Sequence, residues 1–137
     1  MSEKIRIALD CMGGDFGASV VLAGAELSLT QLSNVEFFAF GDLATLEPLI
    51  VKRPTLHRRT RIVHSEIAIR MDQKPAEALR LGRSKSSMAL AIDAVKTENA
   101  DFAISAGNTG ALMALAKIKL RTMVTSLDQR WPGCGLR

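Results

Sequence analysis

Two glycine-bearing stretches hold the residues best suited to chemistry. Asp10-Cys11-Met12-Gly13-Gly14-Asp15 follows the apolar run Ile5–Leu9. Ser105-Ala106-Gly107-Asn108-Thr109-Gly110 follows a second short apolar run. Each stands where a strand-like run gives way to helical spacing. In a parallel sheet, ligands collect at the carboxyl ends of the strands. Glycines there let an anion approach the backbone, and the next helix offers free N–H groups and a positive dipole end. The second loop adds hydroxyl and amide donors. Several such donors held on one oxygen suit acyl transfer, where negative charge develops on a carbonyl. Neither loop is G-x-G-x-x-G or ends in G-K-[ST], so a nucleotide assignment has no support. Each also reads as a plain strand-to-helix turn, with Asn108 or Thr109 as helix cap. Both readings stand, and the recurrence of the pattern favours a site.

Three other features bear on chemistry. In Gly82-Arg83-Ser84-Lys85-Ser86-Ser87, two cations could neutralise a phosphate while Ser86 and Ser87 donate from a helix start. The alternative is a solvated basic turn. Cys11 has no histidine near it in sequence, which favours a structural thiol over a nucleophile. Asp10 and Asp15 lack the further ligands that Mg²⁺ requires, so no metal is expected. Lys52, Arg53, Arg58, Arg59 and Arg61 form a basic run without an acid. It could face an acidic partner or anionic lipid, or lie in a solvated loop.

The elements that would position these residues follow from periodicity. Ile5–Leu9 reads as a short buried strand, and Val35–Phe40, Arg61–His64 and Asp101–Ser105 read as three further strands. Helical spacing covers about Ala18–Leu32, Leu43–Val51, Pro75–Leu81, Met88–Thr97 and Ala111–Leu120. Asp42 can cap the second of these, Pro75 suits a first helical turn, and Ser86 or Ser87 can cap the fourth. Ser65–Lys74 reads as irregular. His57 and His64 fit loop and strand-end positions. Strand and helix alternate, which predicts a mostly parallel sheet with helices on its faces.

The chain has 137 residues, 47% hydrophobic and 23% charged, which permits one globular domain with a core. Aromatics make up only 4%, so that core is aliphatic. A formal charge of +4 is too mild to point to nucleic acid. Two cysteines, Cys11 and Cys134, make neither a disulfide framework nor a metal motif, which suggests a reducing compartment. No signal peptide is expected, and the apolar runs fall short of the ~18–20 residues of a membrane span. Val124–Arg137, with Trp131, Pro132 and Cys134, shows no period.

Taken in order, the motifs resemble the PlsX phosphate acyltransferase family of bacterial phospholipid synthesis. They are I-R-I-A-L-D-C-M-G-G-D-F-G at Ile5–Gly17, M-D-Q-K-P-A-E-A-L-R at Met71–Arg80, S-S-M-A-L-A-I-D-A-V-K at Ser86–Lys96, and A-D-F-A-I-S-A-G-N-T-G-A-L-M-A-L-A at Ala100–Ala116. The resemblance implies transfer of a long-chain acyl group from acyl carrier protein to inorganic phosphate, without a cofactor. It implies an α/β/α sandwich similar to phosphotransacetylases and isopropylmalate dehydrogenases. It also implies a cytoplasmic homodimer that can touch the membrane peripherally, with no nucleic-acid partner. Acyl carrier protein is acidic, which gives the 52–61 run a plausible customer. By motif, Asp10, Gly13, Gly14, Asp15, Ser86, Ser87, Gly107 and Gly110 would bind phosphate and substrate, and Asn108 and Thr109 would be catalytic. Family chains are more than twice as long. Residues 1–123 are therefore expected to be the amino-terminal part of the acyltransferase domain. Residues 124–137 depart from the family pattern and read as a foreign, frame-shifted or disordered end. The alternative function is a truncated, inactive chain that only binds phosphate or a protein partner. A nicotinamide dehydrogenase domain is disfavoured by the missing G-x-G-x-x-G.

Overall fold

The computed structural model describes residues 4–12, 17–83 and 85–120. The elements run β1 (Ile5–Asp10), α1 (Ala18–Ser28), β2 (Val35–Gly41), α2 (Leu43–Val51), α3 (Pro54–Arg59), β3 (Thr60–His64), α4 (Pro75–Gly82), α5 (Ser87–Lys96), β4 (Phe102–Ser105) and α6 (Thr109–Lys119). The four strands form one sheet in the order β3-β2-β1-β4, and every pairing is parallel. The expected α/β layering is therefore present.

Side chains alternate across the strands and so feed two layers. Leu9, Phe37 and Ala39 pack with Leu22 and Ala25 of α1, Leu46 and Ile50 of α2, and Leu56 of α3. Ala8 and Phe40 face the other way, against Ala91 and Ala94 of α5. Behind α5, a third cluster joins Ala78 of α4 and Met88, Ala89 and Ile92 of α5 to Ala111 and Leu115 of α6. Alanines recur in the layer under α5, and their small size lets helix and sheet approach closely. Truncating a fully buried anchor such as Leu22 would cost about 2–5 kcal/mol.

Several boundaries differ from the sequence expectation, each for a local reason. The first helix stops at Ser28 rather than Leu32. Ser28 Oγ donates to Ala25 O and Thr30 Oγ1 to Leu27 O, so hydroxyls compete for the last carbonyls. Much of the basic run is helical, as α3, and His57 lies in that helix rather than in a loop. Pro54 starts α3, Leu56 anchors it, and three basic side chains occupy its last turn, where the dipole favours them. One apolar residue in six leaves no period to read. Asp42 precedes α2 but does not cap it through its side chain. Its carboxylate accepts from Thr45 Oγ1, while the Leu43 N–H donates to His64 Nδ1. Between Ser86 and Ser87, the cap is Ser86, whose Oγ accepts from the Ala89 N–H at 3.0 Å.

The strand order decides where a ligand would sit. From β1 the chain builds outward through β2 to β3, then returns to place β4 on the other side of β1. The connections diverge between β1 and β4, and the crevice above that pair is the switch point where α/β sheets bind ligands.

Candidate functional site

Asp10 and Ser105 end β1 and β4 and stand side by side in register. Both expected loops therefore leave the sheet at the switch point. Asp10 is 1% exposed. A carboxylate buried to that degree needs strong partners, and it has three. Ser87 Oγ donates to Oδ1 at 2.5 Å, Ser105 Oγ donates to Oδ2 at 2.8 Å, and the Met12 N–H reaches Oδ1 at 3.3 Å. Ser105 Oγ in turn accepts from the Gly107 N–H at 3.0 Å. One carboxylate thus ties the first loop, the start of α5 and the second loop together. Hydrogen bonds to an ionised acceptor are about twice as strong as neutral ones.

Asn108 is buried and fully engaged. Its Oδ1 accepts from the Ala111 N–H at 3.1 Å, capping α6. Its Nδ2 lies 2.6 Å from Gln73 O, 3.0 Å from Arg70 O and 3.4 Å from Met71 O. The turn at 70–73 is further closed by the Arg70 N–H donating to Gln73 Oε1 and by an Arg70–Asp72 ion pair. Asn108 is thus a staple between two loops, with no donor left over for a substrate. Ser86 is equally committed: it caps α5 and donates to Gly82 O at 2.6 Å.

Thr109 is exposed on the first turn of α6. The N–H groups of Thr109 and Gly110 occupy the first two helical positions, which have no intrahelical acceptor. Gly110 also fits tightly, since a Cβ there would stand 2.9 Å from Pro75 Cγ. The structure thus brings together Asp10, Ser87, Gly107, Asn108, Thr109 and Gly110. Gly13, Gly14 and Asp15 lie outside the described residues, as do residues 124–137 and the boundary drawn at 123. Ser105 was legible only as a hydroxyl in its loop. Its pairing with Asp10 depends on strand register, which the sequence does not display.

Cys11 is buried, and its thiol is pushed up to about 12, first by burial and then by the Asp10 charge. It is an inert core thiol at neutral pH. Arg83 and Lys85 are exposed at the approach to α5. Among the described residues no cluster of three or more His, Cys, Asp or Glu side chains could hold a metal ion.

The basic run lies at the other end of the strands. Arg58 and Arg59 close α3 and lead into the amino end of β3. The strand's length, about 13 Å, separates them from its carboxyl end. Arg53 pairs with Glu26 at 2.6 Å, and Arg59 donates to Ser33 O at 2.6 Å. At this edge Glu36 is held below the usual carboxylate range, chiefly by its hydrogen bond from Lys4. Asp101 is held low by the backbone N–H and side chain of Arg6.

A family model described as "fatty acid synthesis protein" matches residues 5–126. The chain belongs to this family. Among similar proteins, one from Afipia carboxidovorans named phosphate acyltransferase is 51% identical over 134 residues, covering 98% of this chain and 38% of that protein. Another of the same name, from Rhodopseudomonas palustris, is 56% identical over 123 residues, covering 90% and 35%. A third, from Azorhizobium caulinodans, is 53% identical over 123 residues, covering 90% and 35%. The chain thus spans little more than a third of the length of these curated relatives. The family match takes in both loops and the Asp10 network. No helix among the described residues is long and apolar enough to cross a membrane.

Proposed function

We propose that this chain serves the transfer of a long-chain acyl group from acyl carrier protein to inorganic phosphate, giving acyl phosphate for phospholipid synthesis. The observation that carries this reading is the joining of two glycine loops through Asp10 at the switch point, in a chain whose relatives bear the name phosphate acyltransferase. A phosphate oxygen attacks the thioester carbonyl, the C–S bond breaks, and the carrier thiolate leaves. The reaction so written needs no cofactor and no enzyme nucleophile. The residues hold the two reactants together and stabilise the oxyanion.

The roles divide as follows. The N–H groups of Thr109 and Gly110, the Thr109 hydroxyl and the Gly13–Gly14 backbone serve phosphate and the carbonyl oxygen. Asp10, Ser86, Ser87, Gly107 and Asn108 hold the donors of the second loop in place, and Asp15 is assigned to substrate binding by its motif. A mostly apolar cleft of about 390 Å³ opens beside Asp10 and Ala106, with Leu9, Val20, Leu32 and Ile104 among its walls. It offers a surface for an alkyl chain. The working protein is a cytoplasmic homodimer with peripheral membrane contact.

Acyl-phosphate formation from palmitoyl-acyl carrier protein and phosphate tests the reading. Turnover by the purified chain, lost in Thr109→Ala by about tenfold or more, supports it. A second reading is an inactive chain that only binds phosphate or a protein partner. Phosphate binding without turnover would select that second reading. Neither binding nor turnover would sink both.

A further inference from the structure

We propose that Ser105 is a positioning residue that sets the second glycine loop for phosphate through its bond to Asp10. The inference rests on the phosphate-binding reading above and gives a role to a residue that reading left without one.

Ser105 Oγ accepts from the Gly107 N–H at 3.0 Å and donates its proton to Asp10 Oδ2 at 2.8 Å. It is both acceptor and donor, a combination alanine lacks and threonine keeps. The Gly107 N–H is fixed two residues before Thr109, the first residue of α6. The direction in which the loop enters the helix is thereby set. The other Asp10 oxygen receives Ser87 Oγ and the Met12 N–H. A change at Ser105 is therefore felt across the carboxylate, at the first loop.

Burial supplies a second reason, because Asp10 is 1% exposed and its oxygens need partners. The hydroxyl protons of Ser87 and Ser105 point at the carboxylate and satisfy both of its oxygens. Without Ser105, Oδ2 loses its hydroxyl donor and Gly107 its acceptor. The loop would then be free to turn the Gly107 N–H elsewhere.

The test compares Ser105→Ala and Ser105→Thr with the unaltered chain. Amide hydrogen exchange at Gly107 and Met12, titration with inorganic phosphate followed by ³¹P NMR, and turnover are measured on each. Ser105→Ala should speed exchange at both amides by about fivefold or more. It should weaken phosphate binding by about tenfold, raising KM for phosphate more than it lowers kcat, while cooperative unfolding is retained. Ser105→Thr should restore all of these to within about threefold. Unchanged exchange at Met12 in Ser105→Ala would overturn the coupling. A threonine variant as impaired as the alanine one would overturn the role of the hydroxyl. If the unaltered chain binds no phosphate, the functional reading fails by itself, and the exchange measurements still decide whether Ser105 sets the loops.

Discussion

The two ends of the sheet handle charge in opposite ways. At the carboxyl end, Asp10 is buried and its partners come from positions 77 and 95 residues away. At the amino end, Lys4 meets Glu36 and Arg6 meets Asp101 as ion pairs open to water. A buried carboxylate is tolerated only when its oxygens are occupied, so the hydroxyls of Ser87 and Ser105 must stay in place. An exposed pair gains little over its hydration and can be lost at small cost. The end at which the fold accepts the cost of burying polar groups is the end with two glycine loops.

The largest effect is expected of Asp10→Ala. It leaves the Ser87 hydroxyl buried without its acceptor and unties both loops. Urea denaturation should show a loss of about 3 kcal/mol or more, and phosphate binding should vanish. Stability within 1 kcal/mol of the parent would contradict the account of the carboxyl end. Asn108→Ala comes next. It removes the α6 cap and the staple to the 70–73 turn, for about 2–3 kcal/mol. Limited proteolysis should then cut near residues 70–74, and turnover should fall through misplacement of the loop.

Cys11 gives a test by pH. Its folded thiol ionises near 12 against an ordinary value of 9.0. Between these values the folded chain keeps a proton that the unfolded chain has lost. Its contribution is therefore full below pH 9 and falls as pH rises, by about 1.4 kcal/mol per pH unit. Denaturation midpoints of the parent should drop relative to Cys11→Ala over that window. Parallel profiles would mean that the thiol is not buried as described.

The amino end should respond weakly. Lys4→Ala should cost under ~1 kcal/mol at neutral pH. Glu36 is held low, so the pair's contribution is present above the ordinary carboxylate range and is lost as pH falls through the folded value. The smallest expected effect is that of Arg58→Ala with Arg61→Ala on turnover. Arg58 lies beyond the amino end of β3 and Arg61 lies within that edge strand, two strands from β1, so kcat/KM should stay within about threefold of the parent. A larger loss would bring the basic run back as the surface that receives an acidic carrier.

Much of the fold was legible in the chain. The strands Ile5–Asp10 and Val35–Gly41 are short apolar runs stopped by turn residues, and α2 fell within its expected bounds. Such signals are local, because hydrophobic period and helix stops act over a few residues. The helix α3 escaped notice because a single buried leucine has no period. Hydroxyls at Ser28 and Thr30 shortened α1 where the apolar pattern ran on.

Local pattern along the chain is enough to place two donor-rich loops after two strands and helices over a parallel sheet. That those strands are neighbours emerges only on folding, because 95 residues separate Asp10 from Ser105 and register is a property of pairing, not of either strand. Folding also decides which polar side chains are spent on structure. Asn108 and Ser86 look like free donors along the chain, but burial obliges each to satisfy the backbone groups packed against it. The basic run and the loops lie at opposite ends for the same reason: parallel strands send all their carboxyl ends one way, and a cluster that precedes β3 must lie at the other.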